Sequence, residues 1–518
     1  MTSRRWLLAL PLVCACGART GLHVDPPPPP CATDADCDDG VFCNGAETCR
    51  EEHCISGAPL VCLGSTDCVT NACDETARAC VRTFATPDAD HDGYRAPLAG
   101  HRPGSPGSCG DDCDDHAATV HPGAMEVCNG VDDDCNGIID DGATLTPTGD
   151  AVRVSEDAVA PSGPGGVQWT GDHYGISYWG YAESQSHVYF RTIDRSGAPS
   201  STQQQLSTTP NDAFGASLVW NGSVLGAVWQ DRRDPMGGYE IYFNRLTPTG
   251  ERLGPDERIS FAPGFSVNPA IAWTGSEFLI VWQDERDALS SGNYAIYGQR
   301  LDANGRLILA NQRLTRLAGT SEGPSIAVND TGVALAFMNE RNGRRAISFG
   351  TMGLDLTARL APVQISPPSQ NAVGVTVVWN RDRWVAAWYD DDPASPDHEV
   401  WGASRNADGT AHTVALRLTM DPNFSRYPSL LPLGDRLLMT WADDRDGGAY
   451  TIWGRLLTAD LAPLGPESRV TRTSMGMSAG VDPLLARGPD GDVGVLYRDQ
   501  QGGRIQAWFT RLQCAIPR

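Results

Sequence analysis

The chain has no lysine: its 40 basic residues are all Arg, set against 64 acidic ones for a net charge of −24 over 518 residues. A surplus of that size leaves few clustered cations for phosphate, which excludes nucleic acid and anionic membrane surfaces as partners. The all-Arg complement is the coding bias expected of a GC-rich bacterial genome. CxxC pairs, HExxH and a P-loop are missing too, which weighs against thiolate zinc and leaves no zincin or P-loop motif. No segment reads as a long amphipathic helix, which leaves an all-β class.

The acidity is regional. Between His23 and Ala143 there are 24 acidic residues against five Arg, while Thr144 to Arg518 carries 40 against 32. Within Cys109–Gly142, ten carboxylates and four cysteines stand without a single basic Arg. A cluster of that density repels itself unless water spreads the charges or a cation gathers them. The chain length implies two or more domains.

At the start, Arg4 and Arg5 precede an apolar run from Trp6 to Val13. The run is too short to cross a bilayer but suits a signal peptide. Val13-Cys14-Ala15-Cys16 resembles a bacterial lipobox, which implies lipidation of Cys16 and, with Gly17 following, an outer-membrane or cell-surface lipoprotein. Cys14 departs from the pattern and keeps plain secretion open. Residues 1–16 are thus read as signal and 17–30 as a spacer, whose Pro26–Pro30 run favours polyproline II.

Fourteen cysteines follow: nine from Cys31 to Cys80, four from Cys109 to Cys135, and Cys514. In an exported chain this reads as a disulfide framework, with a small loop-dominated module over 31–82 and zinc as the weaker alternative. Thirteen is odd, so Cys514 is expected to pair back to the N-terminal region.

Asp36-Cys37-Asp38-Asp39 with Cys43-Asn44-Gly45 is echoed by Asp112-Cys113-Asp114-Asp115 with Cys128-Asn129-Gly130. The second copy runs on through HPGAMEVCNG and VDDDCNGIIDD. Over about residues 109–142 it resembles the MopE-type metal-binding motif of secreted bacterial proteins, with Asn136 where that motif often has Asp. Ligand chemistry points to calcium as the cofactor, since calcium takes six to eight oxygens from acids at alternate positions with a Gly at the turn. Asp132, Asp134, Asn136, Gly137 and Asp140 have the spacing of such a loop, as do Asp88, Asp90, Asp92 and Gly93. Neither loop carries the closing Glu. Bridging by Asp111, Asp112, Asp114, Asp115 and Glu126 is therefore expected, in the manner of thrombospondin type 3 repeats. His91, His116 and His121 keep a transition metal open, and a solvated acidic linker is the third alternative. Residues 83–143 form this second module.

From about Ala151 the chain repeats itself. Segments such as VQWTGDHYGISYW, LVWNGSVLGAVWQD and IAWTGSEFLIVWQD are versions of one pattern, seven in all. The aromatics Trp179, Trp229, Trp282, Phe337, Trp388, Trp441 and Tyr497 recur at intervals of 50 to 56 residues. So constant a period with Gly/Asp/Asn turns means one small antiparallel sheet copied. Six repeats end in a short strand: QQLS, ERIS, QRLT, VQIS, LRLT and SRVT. The seventh has none, but Val152-Arg153-Val154-Ser155 precedes the first repeat and matches it. The expectation is a seven-bladed β-propeller over 150–514, its last blade closed by the N-terminal strand so that no sheet edge is left open.

An Asp or Asn follows most of these aromatics, often with Arg two residues on, as in Asp231/Arg233, Asp284/Arg286, Asn339/Arg341 and Asp443/Arg445. Recurrence in nearly every blade assigns them to the turns rather than to catalysis. Gly476-Met477-Ser478-Ala479-Gly480 fits GxSxG without a strand-turn-helix elbow, and the sialidase Asp-box is absent. The Asp390-Asp391-Asp392 turn departs most from the repeat. The resulting expectation is a non-catalytic surface lipoprotein with a calcium-braced stalk and a recognition or adhesion propeller for an extracellular protein or glycan, touching membrane only through its lipid anchor. A polysaccharide-active glycosidase or lyase is the alternative, and a purely structural envelope protein the third.

Overall fold

The computed structural model describes residues 30–515 apart from 127–130, 139, 141, 143, 161, 183, 209–210, 234–237, 288–292, 392–397, 421–422, 446–449, 472–481 and 502. The lipobox Cys16, most of the proline run, Cys128 and the GxSxG segment lie outside the described residues. The chain divides into two compact units, Met1–His116 and Ala117–Arg518. Among the described residues the only helical pieces are two 3-10 turns, Asp34–Asp36 and Pro489–Gly491.

The first unit holds two short hairpins, Thr48–Arg50 with His53–Ile55 and Val69–Asp74 with Ala79–Phe84. Strands this short bury little, and even Val61 and Leu63 are exposed. Covalent bonds replace the core: Cys31–Cys49, Cys37–Cys54, Cys43–Cys73, Cys62–Cys80 and Cys68–Cys109. Cys113, Cys135 and Cys514 are disulfide-bonded as well. Oxidation on this scale belongs to an exported protein, and it leaves no described thiolate for zinc.

The second unit is the propeller. Six four-stranded antiparallel sheets follow one another, and a seventh holds the C-terminal strands. Blade 3 is representative, with Ser266–Trp273, Glu277–Asp284, Ala295–Asp302 and Leu307–Arg313 in order from the inside out. Each blade's first strand contacts the next blade's, and Leu484–Arg487 of blade 7 returns to Ser162–Trp169 of blade 1. Alternation along each second strand sends successive side chains to the two neighbouring blades, so the core is a series of interblade layers. Trp229, Trp282, Phe337, Trp388 and Trp441 are among the largest fully buried side chains.

The outer Ser or Thr of the repeat has a common task. Backbone N–H groups of Val188, Ile241, Ile296, Ile347, Val400 and Ile452 donate to the hydroxyls of Ser207, Ser260, Thr315, Ser366, Thr419 and Thr471, at 2.8–3.0 Å. In blade 7, Ala507 donates to Ser155 at 3.1 Å. VRVS therefore closes the ring in the register of the other edge strands, with Arg153 opposite Trp508 as Arg258 is opposite Tyr242. The closure extends beyond VRVS, because Thr144–Pro147 also pairs with the end of Arg504–Ala515.

Blade 1 corrects one expectation. Tyr174 sits at the second-strand start as Leu225 does in blade 2, which places Tyr178, not Trp179, opposite the third strand where Trp229 stands. Tyr178 is fully buried; Trp179 occupies the place of Gln230, and Gly180 that of Asp231. Two adjacent aromatics made the sequence alignment ambiguous by one residue, and strand register resolves it.

Candidate metal centre

Three of the predicted ligands, Asp88, Asp90 and Asp92, bring carboxylate oxygens within 4.8 Å of one another. Local backbone chemistry bends this loop. His91 and Gly93 take left-handed conformations, φ 69° and 100°, while Asp90 and Asp92 accept the N–H groups of Asp92 and Tyr94. The DCDD segment is carried to it by long-range contacts. Cys109 is tied to Cys68, the Asp112 N–H donates to the Arg95 carbonyl, and the Ala89 N–H donates to Asp115. Gly110 permits the approach, since a Cβ there would lie 2.1 Å from the Arg95 and Ala96 carbonyl oxygens.

Asp112 is 0% exposed, and one of its carboxylate oxygens has no hydrogen-bond partner; oxygens of Asp88, Asp90 and Asp92 are in the same condition. Burial raises the Asp112 pKa above its ordinary value, and the neighbouring charges of Asp92, Asp90 and Asp115 add to the rise. The nearest cation is Arg95, 3.9 Å from Asp88 and engaged over the Phe84 ring at 3.7 Å. Asp90, Asp92 and Asp115 bear on Asp112, and the Arg95–Asp88 pair is the cationic contact recorded for this group. Bare buried carboxylates cost several kcal/mol unless paired or coordinated, on the order of magnitude set by desolvation.

Asp111 and Asp114 of the same segment are exposed, and Asp114 accepts the His116 N–H. In the second unit, Glu126, Asp132 and Asp134 form another group within 4.8 Å. Asp132 accepts the N–H groups of Asn136 and Gly137 at 3.1 and 2.7 Å, and Asp134 donates its own to Glu126 at 2.8 Å. Asn136 is exposed and its amide oxygen accepts the Ile138 N–H. Asp140 lies apart, fully buried against Arg436 at 2.6 Å on blade 6. No His belongs to either group among the described residues; His91 and His116 are exposed.

The repeated Asp of the propeller contrasts with these. The indole N–H groups of Trp229, Trp282 and Trp441 donate to Asp231, Asp284 and Asp443 two residues on, at 3.3, 2.7 and 2.9 Å. Arg233, Arg286 and Arg445 close the same carboxylates at 2.6–2.7 Å. The Trp-x-Asp-x-Arg unit is a buried local lock, a role the repetition already indicated.

Residues 112–141 match the family described as "Putative metal-binding motif" (Cu-binding MopE). No curated protein matches the chain. Among solved structures, an endo-arabinase from Bacteroides thetaiotaomicron is 13% identical, covering 47% of this chain and 92% of its own at a TM-score of 0.33. An α-L-arabinofuranosidase from Fusarium graminearum is 12% identical over 61% and 97%, TM-score 0.40. A subtype N10 neuraminidase-like protein of A/little yellow-shouldered bat/Guatemala/060/2010 is 10% identical over 72% and 100%, TM-score 0.41. The expectation of a non-catalytic protein is corrected here. A missing sequence motif is no ground for excluding an enzyme, because chemistry resides in a site that a propeller carries and not in a motif the chain must spell out. The chain combines a MopE-type metal-binding motif with a seven-bladed propeller.

Proposed function

We propose that this is an exported protein whose acidic module is set by calcium and whose propeller engages an extracellular polymer, with attachment to the outer membrane through Cys16. The observation that carries the metal reading is Asp112, fully buried with an unpartnered oxygen among Asp88, Asp90, Asp92 and Asp115. Those five acids would hold the cation, with Glu126, Asp132 and Asp134 as a second set in the other unit. Carboxylate oxygen without imidazole or thiolate suits calcium rather than copper. A bound divalent ion would add to the one positive charge, Arg95, that pairs with these acids at Asp88. Calorimetric titration of the full-length protein with calcium and with copper tests the reading. Calcium binding that Asp112→Asn weakens is expected; a copper preference, or no binding of either ion, overturns it.

A second reading, polysaccharide-active chemistry on the propeller, is favoured by blades 5 and 6. There Asp391 meets His398 at 3.4 Å and Arg426 at 3.3 Å, beside the paired rings of Tyr389 and Tyr427 at 5.2 Å. Burial, then Tyr427 and Asp391, holds the Tyr389 phenol well above its ordinary range, keeping it a proton donor at neutral pH. This group breaks the repeat symmetry, as a reacting site must. Release of reducing ends or unsaturated uronates from polysaccharides by wild type, lost in Arg426→Ala, is the expected result. No turnover of neutral or acidic polysaccharides by wild type removes this reading.

A further inference from the structure

Blade 1 departs from the repeat where the Trp-x-Asp-x-Arg lock should be, and the departure builds a surface. Trp179 stands where blades 2 and 3 have Gln230 and Gln283. Those glutamines reach the next blade: Gln230 accepts the Asn268 N–H at 2.8 Å and Gln283 the Gly323 N–H at 3.1 Å. An indole cannot make that bond. Its seat is prepared instead by Gly163, where a Cβ would lie 2.8 Å from the indole ring. The facing position of blade 2 is Phe214, while blades 3, 5 and 6 have Val267, Val373 and Arg426.

The rings run on in a row across three blades. Tyr181 and Trp179 are 6.2 Å apart, Trp179 and Phe214 6.0 Å, Phe214 and Tyr239 5.1 Å, and Tyr239 and Phe265 6.1 Å. All five lie at the blade end where second strands finish and first and third strands begin. Trp179, Phe214 and Tyr239 are half-buried, and the row is most open at its ends, with Tyr181 38% and Phe265 39% exposed. Polar groups of both kinds border it. The Arg232 guanidinium is 5.9 Å from the Tyr239 ring, and the Asp212 carboxylate is fixed by the Ser186 N–H and hydroxyl at 2.9 and 3.1 Å.

We infer that this row is a glycan-binding subsite, in which sugar rings lay their C–H faces on Trp179, Phe214 and Tyr239 while Asp212, Arg232 and the two phenols meet the hydroxyls. The inference rests on the second reading above for the class of polymer, not for any chemistry. Flat aromatic faces give contact area at little entropic cost, and Tyr adds a polar tip. A border of acceptor, donor and phenols matches a chain bearing hydroxyls along its length; an apolar protein surface would strip water from Asp212 and Arg232 without replacing it. A proline-rich peptide would also stack on such rings, and is the competing occupant.

The test is affinity electrophoresis of the full-length protein in gels containing xylan, arabinan, a β-glucan or pectin. Retardation by at least one of these is expected. Trp179→Ala and Tyr181→Ala should weaken it about tenfold, one decade of affinity each, and Gly163→Ala should weaken it by displacing the indole. Leu309→Ala, an exposed apolar residue outside the row, should leave it unchanged. Thermal melting identifies any variant that fails to fold, and Tyr181, exposed at its end of the row, keeps the test open if Trp179→Ala does. No retardation by any polysaccharide, retardation indifferent to both Trp179 and Tyr181, or preference for a polyproline peptide overturns the inference. Binding without turnover keeps the row and removes only the enzyme reading; turnover insensitive to the row removes the row and keeps the enzyme.

Discussion

Asp112 and Asp443 are both fully buried carboxylates, and their surroundings could hardly differ more. Asp443 receives the Trp441 indole, the Ser425 hydroxyl and the Arg445 guanidinium, all from its own blade. Burial works to raise its pKa, but the bonds from Arg445 and Trp441 outweigh it and hold the pKa below the ordinary value. Asp112 has only a backbone N–H and other acids, and its pKa is raised. In blades 2, 3 and 6 the propeller pairs this carboxylate within the repeat. The module leaves Asp112 among like charges, the arrangement that the proposed calcium would complete.

The contrast can be broken most severely on the propeller side. Asp443→Asn strips the charge from a lock whose Arg445 is only 16% exposed, and breaking a buried pair costs about 3–5 kcal/mol. Denaturant unfolding of the full chain should show that loss in the propeller transition. On the module side, calcium at a hundredfold excess over its dissociation constant stabilises by about 2.7 kcal/mol. Differential scanning with calcium and with EDTA should show that shift in wild type and a much smaller one in Asp112→Asn, with the propeller transition unmoved.

Acid sharpens the comparison further. Because Asp443 has a depressed folded pKa, its contribution is fully present above the unfolded value, about 3.9, and is lost as pH falls through the folded one. Melting of the propeller should therefore decline only below about pH 4, and Asp443→Asn should flatten that part of the curve. The smallest effect expected is at the blade interface. Gln283→Ala leaves the Gly323 N–H without its acceptor, a loss of about 1–2 kcal/mol read from the unfolding midpoint.

Much of the propeller was legible before any coordinates. Seven repeats, the edge-strand motif and the closing role of Val152–Ser155 all follow from local alternation, which depends on residues a few positions apart. The one-residue error in blade 1 arose where Tyr178 and Trp179 offered two aromatics for one place, and only pairing with the neighbouring strand decides between them. The extra closing strand Thr144–Pro147 was missed because its short TLTP run carries no repeat signature.

The acidic module was legible in kind but not in detail. Composition and motif singled out the run from Asp111 to Asp140 as metal-binding without telling its acids apart. The fold sorts them: Asp112 and Asp115 turn inward beside Asp88, Asp90 and Asp92, Asp111 and Asp114 face water, and Asp140 is taken by Arg436. That sorting depends on the Cys68–Cys109 bridge and the close approach at Gly110, contacts between segments distant in the chain. Sequence by itself thus determined the repeat number, the ring closure and the presence of a carboxylate-rich module, because short-range periodicity and ligand type are written residue by residue. Only the tertiary structure decided which carboxylates converge and which aromatics reach the surface, because convergence is a property of the backbone's path.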